Sequence, residues 1–433
     1  MRILKLNQEN KKNILSNLLK RSPNQYKQYE KTVNDIVETV RDKGDKAVFD
    51  YTSQFDKWDI NSSNCCVTRQ EIDAAYEQMD VSLIEILKEA AGNIKSFHQK
   101  QLHTSWMIPS EDGSILGQKI TPIERVGAYA PGGKAAYPSS VLMNIIPAKV
   151  AGVSKITLCT PASKDGTVNP ATLVAADIAG ADMIYKVGGA QAIAAMAYGT
   201  ETIEKVDKIT GPGNIFVALA KKACFGMVGI DSIAGPSEIL IIADKDANPR
   251  FVAADLLSQA EHDEMASAIL LTDSEELARQ VSQEVEHFTS KLSRSSIIEK
   301  SLEQYGYILI TKDLDESIET ANEIASEHLE IMTANPFEVM TKIKNAGAIF
   351  LGPYSSEPLG DYFAGPNHIL PTNGTAKFFS PLNVDEFMKK TSIISYSYEA
   401  LEKSHKKIEQ FATAEQLTAH ANSIRVRFEE EER

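Results

Sequence analysis

Cysteine is scarce in this chain: four in 433 residues, at positions 65, 66, 159 and 224. Two are adjacent and the others lie far apart, so no CxxC pair exists to hold a metal or cycle as a dithiol, and all four read as reduced thiols. Any metal must then be held by His, Asp, Glu or Gln. Long apolar runs are missing too, since nothing approaches the ~18 residues of a membrane span. The N-terminus, MRILKLNQENKKNIL, is charged throughout and lacks the apolar core of a signal peptide, which leads us to expect a cytoplasmic protein. Positive charge is in deficit: 45 Lys and Arg against 59 Asp and Glu leave a net charge of −14. Long-range repulsion from phosphate backbones argues against nucleic acid as the main partner, while leaving room for a local nucleotide pocket. The short signatures of common enzymes are also lacking. There is no HExxH, no GxSxG, and no GxGxxG in a strand-to-helix turn. Lys134 in APGGKAAYP has neither the upstream glycine nor the following Ser/Thr of a P-loop.

What is present is an ordinary globular composition, 43% hydrophobic and 24% charged, on a chain long enough for two or more domains. Residues 25–104 read helical, with Val33, Ile36, Val37, Val40 and Val48 at helical spacing and a break at Gly44. From about residue 123 short apolar runs alternate with helical stretches: ERVGAYA, SVLMNIIPAKVAGV, KITLCT, ATLVAADIAGA, MIYKVG, AQAIAAMAYG. The alternation resumes after 237 with EILIIAD, a helix over 248–264, SAILLTD, a helix over 274–290, YGYILITKD, a helix over 313–328, and AIFLG. That grammar predicts parallel sheets covered by helices. Residues 353–381 are a long Gly- and Pro-rich segment, and a loop of that length is usually functional or disordered. TSIISYSY then reads as a strand, and a closing helix over 413–430 begins at Thr413 with Gln416 in capping-box position.

Three Gly-rich turns at strand ends, GAYAPGG (127–133), VGGAQA (187–192) and TGPGN (210–214), are candidates for a nucleotide site, because backbone can approach phosphate closely there. Each alone is more often just a tight turn. In SQAEHDE (258–264), Gln259 and His262 are three residues apart and share a helical face. A solvated polar face explains that as well, and glutamine is an uncommon zinc ligand. In NEIASEHLEI, Ile324, His328 and Ile331 fall on one helical stripe, which suits a core histidine. The adjacent Glu327 nevertheless offers a second proton acceptor about 100° around the helix. Asp361 sits in the glycine-flanked turn LGDYFAGPNH, seven residues before His368, and an Asx-type turn explains it equally well. Glu415 and His420 on the closing helix point about 140° apart, able to straddle a ligand but not to chelate as neighbours.

Together these segments form a known order. IDSIAGPSEILIIAD (230–244), SQAEHD (258–263), SEHLEI (326–331), GDYFAGPNHILPTNGTAKFFSPL (360–382) and AEQLTAH (414–420) resemble histidinol dehydrogenases, as do VGAYAPGGKAAYPSSVLMN, VGGAQAIAAMAYGT and TGPGN. The resemblance covers nearly the whole chain. It implies two incomplete Rossmann-like parallel-sheet α/β domains with small helical terminal segments, in an intertwined homodimer. It also implies four stretches: a helical arm over 1–24, a metal and substrate domain over 25–128 plus 238–382, an NAD-binding domain over 129–237 and a dimerisation segment over 383–433. The implied activity is oxidation of L-histidinol through L-histidinal to L-histidine with NAD⁺, the last steps of histidine biosynthesis. One zinc per subunit falls on Gln259, His262, Asp361 and His420, substrate contacts on these and on Ser237, His328 and Glu415, and NAD contacts on Tyr129, Gln191 and Asn214. Glu327 and His328 match the proton acceptors. The resemblance further implies that Glu415 and His420 come from the partner chain. Pro358, Phe363 and Ala364 are less usual for the family and flank Asp361 without removing a ligand.

The expected chemistry follows from these types. A neutral imidazole, His328, suits removal of the hydroxyl proton while hydride leaves, and a carboxylate, Glu327, suits activation of water on the aldehyde. A zinc hydrolase would use the same polar cluster but would leave the Gly-rich turns unexplained, and NAD⁺ reduction with histidinol discriminates the two. A metabolite-binding protein on the same scaffold would bind histidinol without turnover.

Overall fold

The runs EILIIAD, SAILLTD and YGYILITKD each hold an unbroken apolar centre, ILIIA, AILL and YILI, the pattern of strands covered on both faces. In the computed structural model of the chain they lie side by side. The structure describes residues 1–19, 21, 27–132 and 137–429. Gly133 of the first Gly-rich turn, Lys134 and the end of the expected N-terminal arm lie outside them.

The chain divides into two compact units, Met1–Gln101 with Ile123–Phe387, and Leu102–Pro122 with Met388–Arg433. The first unit holds two parallel sheets. The larger has six strands in the order Arg2–Lys5, Gly306–Ile310, Ser267–Thr272, Glu238–Ala243, His328–Met332, Ala348–Leu351. Every pairing in it is parallel. The smaller has five, in the order Met183–Tyr185, Lys155–Cys159, Arg125–Tyr129, Lys208–Thr210, Gly229–Ile230, again all parallel. Helices cover both faces of each. The mixed α/β class with parallel sheets is therefore as the alternating pattern requires. Two apolar clusters flank the large sheet: Ile239, Ile241 and Leu270 face one, Leu240, Ile242 and Ile269 the other. The second unit is an antiparallel sheet of Met388–Ser395, Ile115–Pro122 and Trp106–Pro109 followed by three helices, Tyr398–Glu402, His405–Ala414 and Thr418–Arg425.

Several elements depart from expectation. The stretch expected as a helical arm opens instead with the strand Arg2–Lys5, whose backbone pairs with Gly306–Ile310 before the helix Gln8–Leu19. The helix expected over 313–328 is Leu314–Ile324. It ends at Ala325, which adopts the left-handed conformation at φ 53° and turns the chain into the strand His328–Met332. Glu327 and His328 thus stand at the entry of a strand, and the expected helical stripe does not exist. Helix-forming Glu and Leu are overridden here by pairing with neighbours on both sides. The helix expected over 248–264 is Pro249–Ala260, capped by Asn248, so Gln259 lies in its last turn and His262 just beyond it. The Gly- and Pro-rich stretch contains the short helix Glu357–Tyr362, so Asp361 is helical rather than in a turn. The single closing helix is two, because Gln416 takes φ 61° between them. Its expected capping role is lost with that break.

Candidate active site

The parallel register sets His328 opposite Ile239, which brings Glu327 beside Glu238 at the amino ends of two neighbouring strands. The two glutamates bind each other crosswise. The Glu238 N–H donates to Glu327 Oε2 at 2.9 Å, and the Glu327 N–H points at Glu238 Oε2 at 3.4 Å. His328 Nδ1 lies 2.9 Å from the Glu238 carbonyl oxygen. A carbonyl only accepts, so Nδ1 carries the proton and the lone pair of the neutral ring sits on Nε2. That nitrogen faces Asp361, 3.7 Å from Oδ1. Phe350 lies against the imidazole with ring centroids 6.0 Å apart. Gly360 permits this, since a Cβ there would fall 2.6 Å from the Phe350 ring.

The helix Pro249–Ala260 runs back from the carboxyl end of its strand and delivers Gln259 and His262 to the same amino-end neighbourhood. Gln259 is 1% exposed, yet neither its amide oxygen nor its amide nitrogen has a partner among the described residues. Buried amides are rarely left so, and each costs about 1–3 kcal/mol. His262 keeps an open solvent face. Desolvation by the protein crowding its ring still lowers its pKa; Asp361 opposes that shift and His328 adds to it. Asp361, His262 and His328 therefore share one electrostatic neighbourhood. His368 braces Asp361: its Nδ1–H donates to the Asp361 carbonyl at 3.0 Å, and Ser140 Oγ lies 3.2 Å from its Nε2.

Burial pushes Glu327 up to about 8, with Glu238 and Asp361 reinforcing the rise against the pull of His328. Burial disfavours a charged His328, but Glu327 and Asp361 outweigh it and raise the imidazole. Asp361 is lowered, burial notwithstanding, by His328 and His368.

Sequence reasoning missed a set of buried acids beneath this cluster. Glu357 is 2% exposed, accepts a hydrogen bond from Ser258 at 2.8 Å, and its own N–H donates to Glu330 at 2.9 Å. Burial lifts Glu357 to about 8 and Asp255 to about 6, and raises Glu330 well above the carboxylate range. His328, Glu357 and Asp361 offer ligand atoms all within 4.8 Å of one another, a set able to hold a metal ion. The signal was present: Asp255 is four residues before Gln259 and Glu357 four before Asp361, one helical turn in each case.

The remaining expected residues are placed as follows. Ser237 immediately precedes the strand that carries Glu238 and is partly buried. Tyr129 and Thr210–Asn214 stand at the carboxyl ends of adjacent strands of the small sheet, where its strand order reverses. The buried Tyr129 hydroxyl accepts the Gly189 N–H at 3.0 Å, and Gln191 Oε1 is buried without a partner among the described residues. Asn214 is exposed and caps the helix Ile215–Cys224 through the N–H groups of Phe216 and Val217. Glu415 and His420 are exposed in the second unit, Glu415 capping the end of the helix His405–Ala414 and His420 lying on the next helix, Thr418–Arg425, so the angle expected between them on one helix does not apply.

The family model for histidinol dehydrogenase matches residues 19–428. The chain belongs to the histidinol dehydrogenase family. A histidinol dehydrogenase of Clostridium acetobutylicum is 57% identical over 398 residues, 92% of each chain. One of Bacillus subtilis is 56% identical over 397 residues, again 92% of each. The crystal structure of histidinol dehydrogenase from Elizabethkingia anophelis superposes with a TM-score of 0.93 at 40% identity, covering 99% of this chain and 98% of that one. Like the other histidinol dehydrogenases, the chain is an oxidoreductase. Among the described residues no helix is long and apolar enough to cross a membrane.

Proposed function

We propose that the chain oxidises L-histidinol to L-histidinal and then to L-histidine with NAD⁺, in the cytoplasm. The observation that carries this is the grouping of Glu327, His328, Asp361 and the unpartnered Gln259 amide at one end of the large sheet, in a chain of this family. A divalent cation, zinc in our reading, fits the donors present: an orphaned buried amide, imidazole and carboxylate, with no thiolate among them. Gln259, His262 and Asp361 would hold it, with His420 of the partner subunit of a homodimer completing the set. Bound there, the ion would supply a Lewis-acid anchor for the nitrogen donors of the substrate, and NAD⁺ would supply the hydride acceptor. The smaller sheet supports the NAD half of this reading, because its strands run 3-2-1-4-5 in chain order, the Rossmann order without its sixth strand. Tyr129, Gln191 and Asn214 are our NAD contacts, and Ser237 and Glu415 our further substrate contacts.

The chain's own groups do the proton chemistry. His328, its Nδ1–H held by the Glu238 carbonyl, presents Nε2 to take the hydroxyl proton when the ring is neutral; the carboxylates that raise it favour the charged ring, and a cation held by Asp361 would offset that pull. Glu327, made a stronger base by burial, takes a proton from the water that adds to the aldehyde. Phe350 and the buried strand ends keep bulk water from both. Incubation with L-histidinol, NAD⁺ and Zn²⁺ should form two NADH per histidine. A ratio near one contradicts the double oxidation, and histidinol binding without NADH would leave only a binding protein.

A further inference from the structure

Arg21 lies wholly buried just beyond the helix Gln8–Leu19, and its guanidinium commits every nitrogen to one place. Nε donates to the Leu18 carbonyl at 3.3 Å and Nη1 to the Met265 carbonyl at 2.8 Å. Nη2 forms an ion pair with Glu238, whose side chain is 4% exposed. The Tyr305 ring lies 5.2 Å from the guanidinium carbon. Among the described residues Arg21 is the cation paired with Glu238.

Glu238 in turn touches both proton acceptors through three separate groups. Its carboxylate Oε2 receives the Glu327 N–H, its N–H holds the Glu327 carboxylate, and its carbonyl fixes the His328 tautomer. A buried carboxylate stripped of its cation does not stay put, because it must find another partner, take up a proton or draw in water. Any of these moves the backbone on which Glu327 and His328 depend. Neither Arg21 nor Glu238 is among the groups assigned to substrate, metal or NAD. We propose that Arg21 and Glu238 are a positioning pair, by which the N-terminal segment braces Glu327 and His328 for catalysis. This rests on the histidinol-oxidising reading above.

The test compares Arg21→Lys, Arg21→Met and the double variant Arg21→Met/Glu238→Gln in the full-length, zinc-loaded enzyme. Turnover is measured separately from histidinol and from histidinal. Arg21→Met should lower kcat for both steps about 10- to 100-fold, the usual range for groups that orient a site from behind, with KM for histidinol and zinc content little changed. Arg21→Lys keeps the charge but loses the fork, so it should fall between wild type and Arg21→Met. The double variant removes the stranded charge while the substituted amide still accepts the Glu327 N–H, and it should recover most of the lost kcat. Hydrogen exchange, followed peptide by peptide, should quicken in the single variants over residues 236–239 and 326–329 before it does elsewhere. A lower melting temperature with unchanged kcat, or uniform acceleration of exchange, overturns the pair as a positioning device. Should Arg21→Met not fold, wild-type kcat in Arg21→Lys together with unchanged exchange at those peptides overturns it equally. A wild-type enzyme that makes no NADH from histidinol refutes the functional reading instead, and the exchange measurement still decides the pair.

Discussion

At the scale of single residues, Gln259 and Glu327 carry the sharpest expectations. Gln259 is a buried amide with no partner among the described residues, so it destabilises the metal-free protein. Replacing it with leucine should stabilise the chelated protein by about 1–3 kcal/mol in denaturant unfolding. The same substitution should weaken zinc binding at least tenfold. A leucine variant that binds zinc as tightly as wild type would remove Gln259 from the ligand set. Glu327→Gln keeps the shape and the crosswise contact with the Glu238 N–H but loses the base. It should spare the oxidation of histidinol, assayed to its aldehyde, more than the oxidation of added histidinal. Equal loss in both steps would end the division of labour between Glu327 and His328.

At the scale of elements, the site depends on the entry of the strand His328–Met332. Gly347 opposes it on the next strand connection, donating its N–H to the Ser326 carbonyl at 3.0 Å. A Cβ at Gly347 would lie 2.4 Å from the Glu327 carbonyl oxygen, a backbone atom unable to swing aside. Gly347→Ala should cost about 1–3 kcal/mol of stability through that overlap. It should also lower kcat, because the backbone it displaces carries Glu327. Unchanged turnover at a lowered unfolding midpoint would show that the strand entry tolerates movement. Legibility in the sequence also divides by element. Strands with unbroken apolar centres, such as Ile239–Ala243 within Glu238–Ala243, were legible because burial on both faces leaves one residue type there. SEHLEI was not, because its own residues favour helix and only its strand neighbours make it a strand.

At the scale of the molecule, Glu415 and His420 belong to a different compact unit from Asp361. Our reading has them serve the partner's site in a homodimer. Chains carrying His262→Asn and His420→Asn, each inactive alone, should then complement when unfolded together and refolded. Random pairing makes half the dimers hybrid with one intact site in two, so about a quarter of wild-type activity returns. No recovery would mean that each site is completed within its own chain.

The order of the motifs along the chain determined by itself the family, the parallel α/β class and the identity of Glu327, His328, Asp361 and Gln259 as candidates, because those features are written as residue types and spacings. Only the tertiary structure decided that Glu327 and His328 enter a strand, that Asp255, Glu330 and Glu357 underlie them, and that Arg21 reaches them through Glu238. Those relations join residues far apart in the chain. They arise from sheet pairing and burial, which no local pattern encodes.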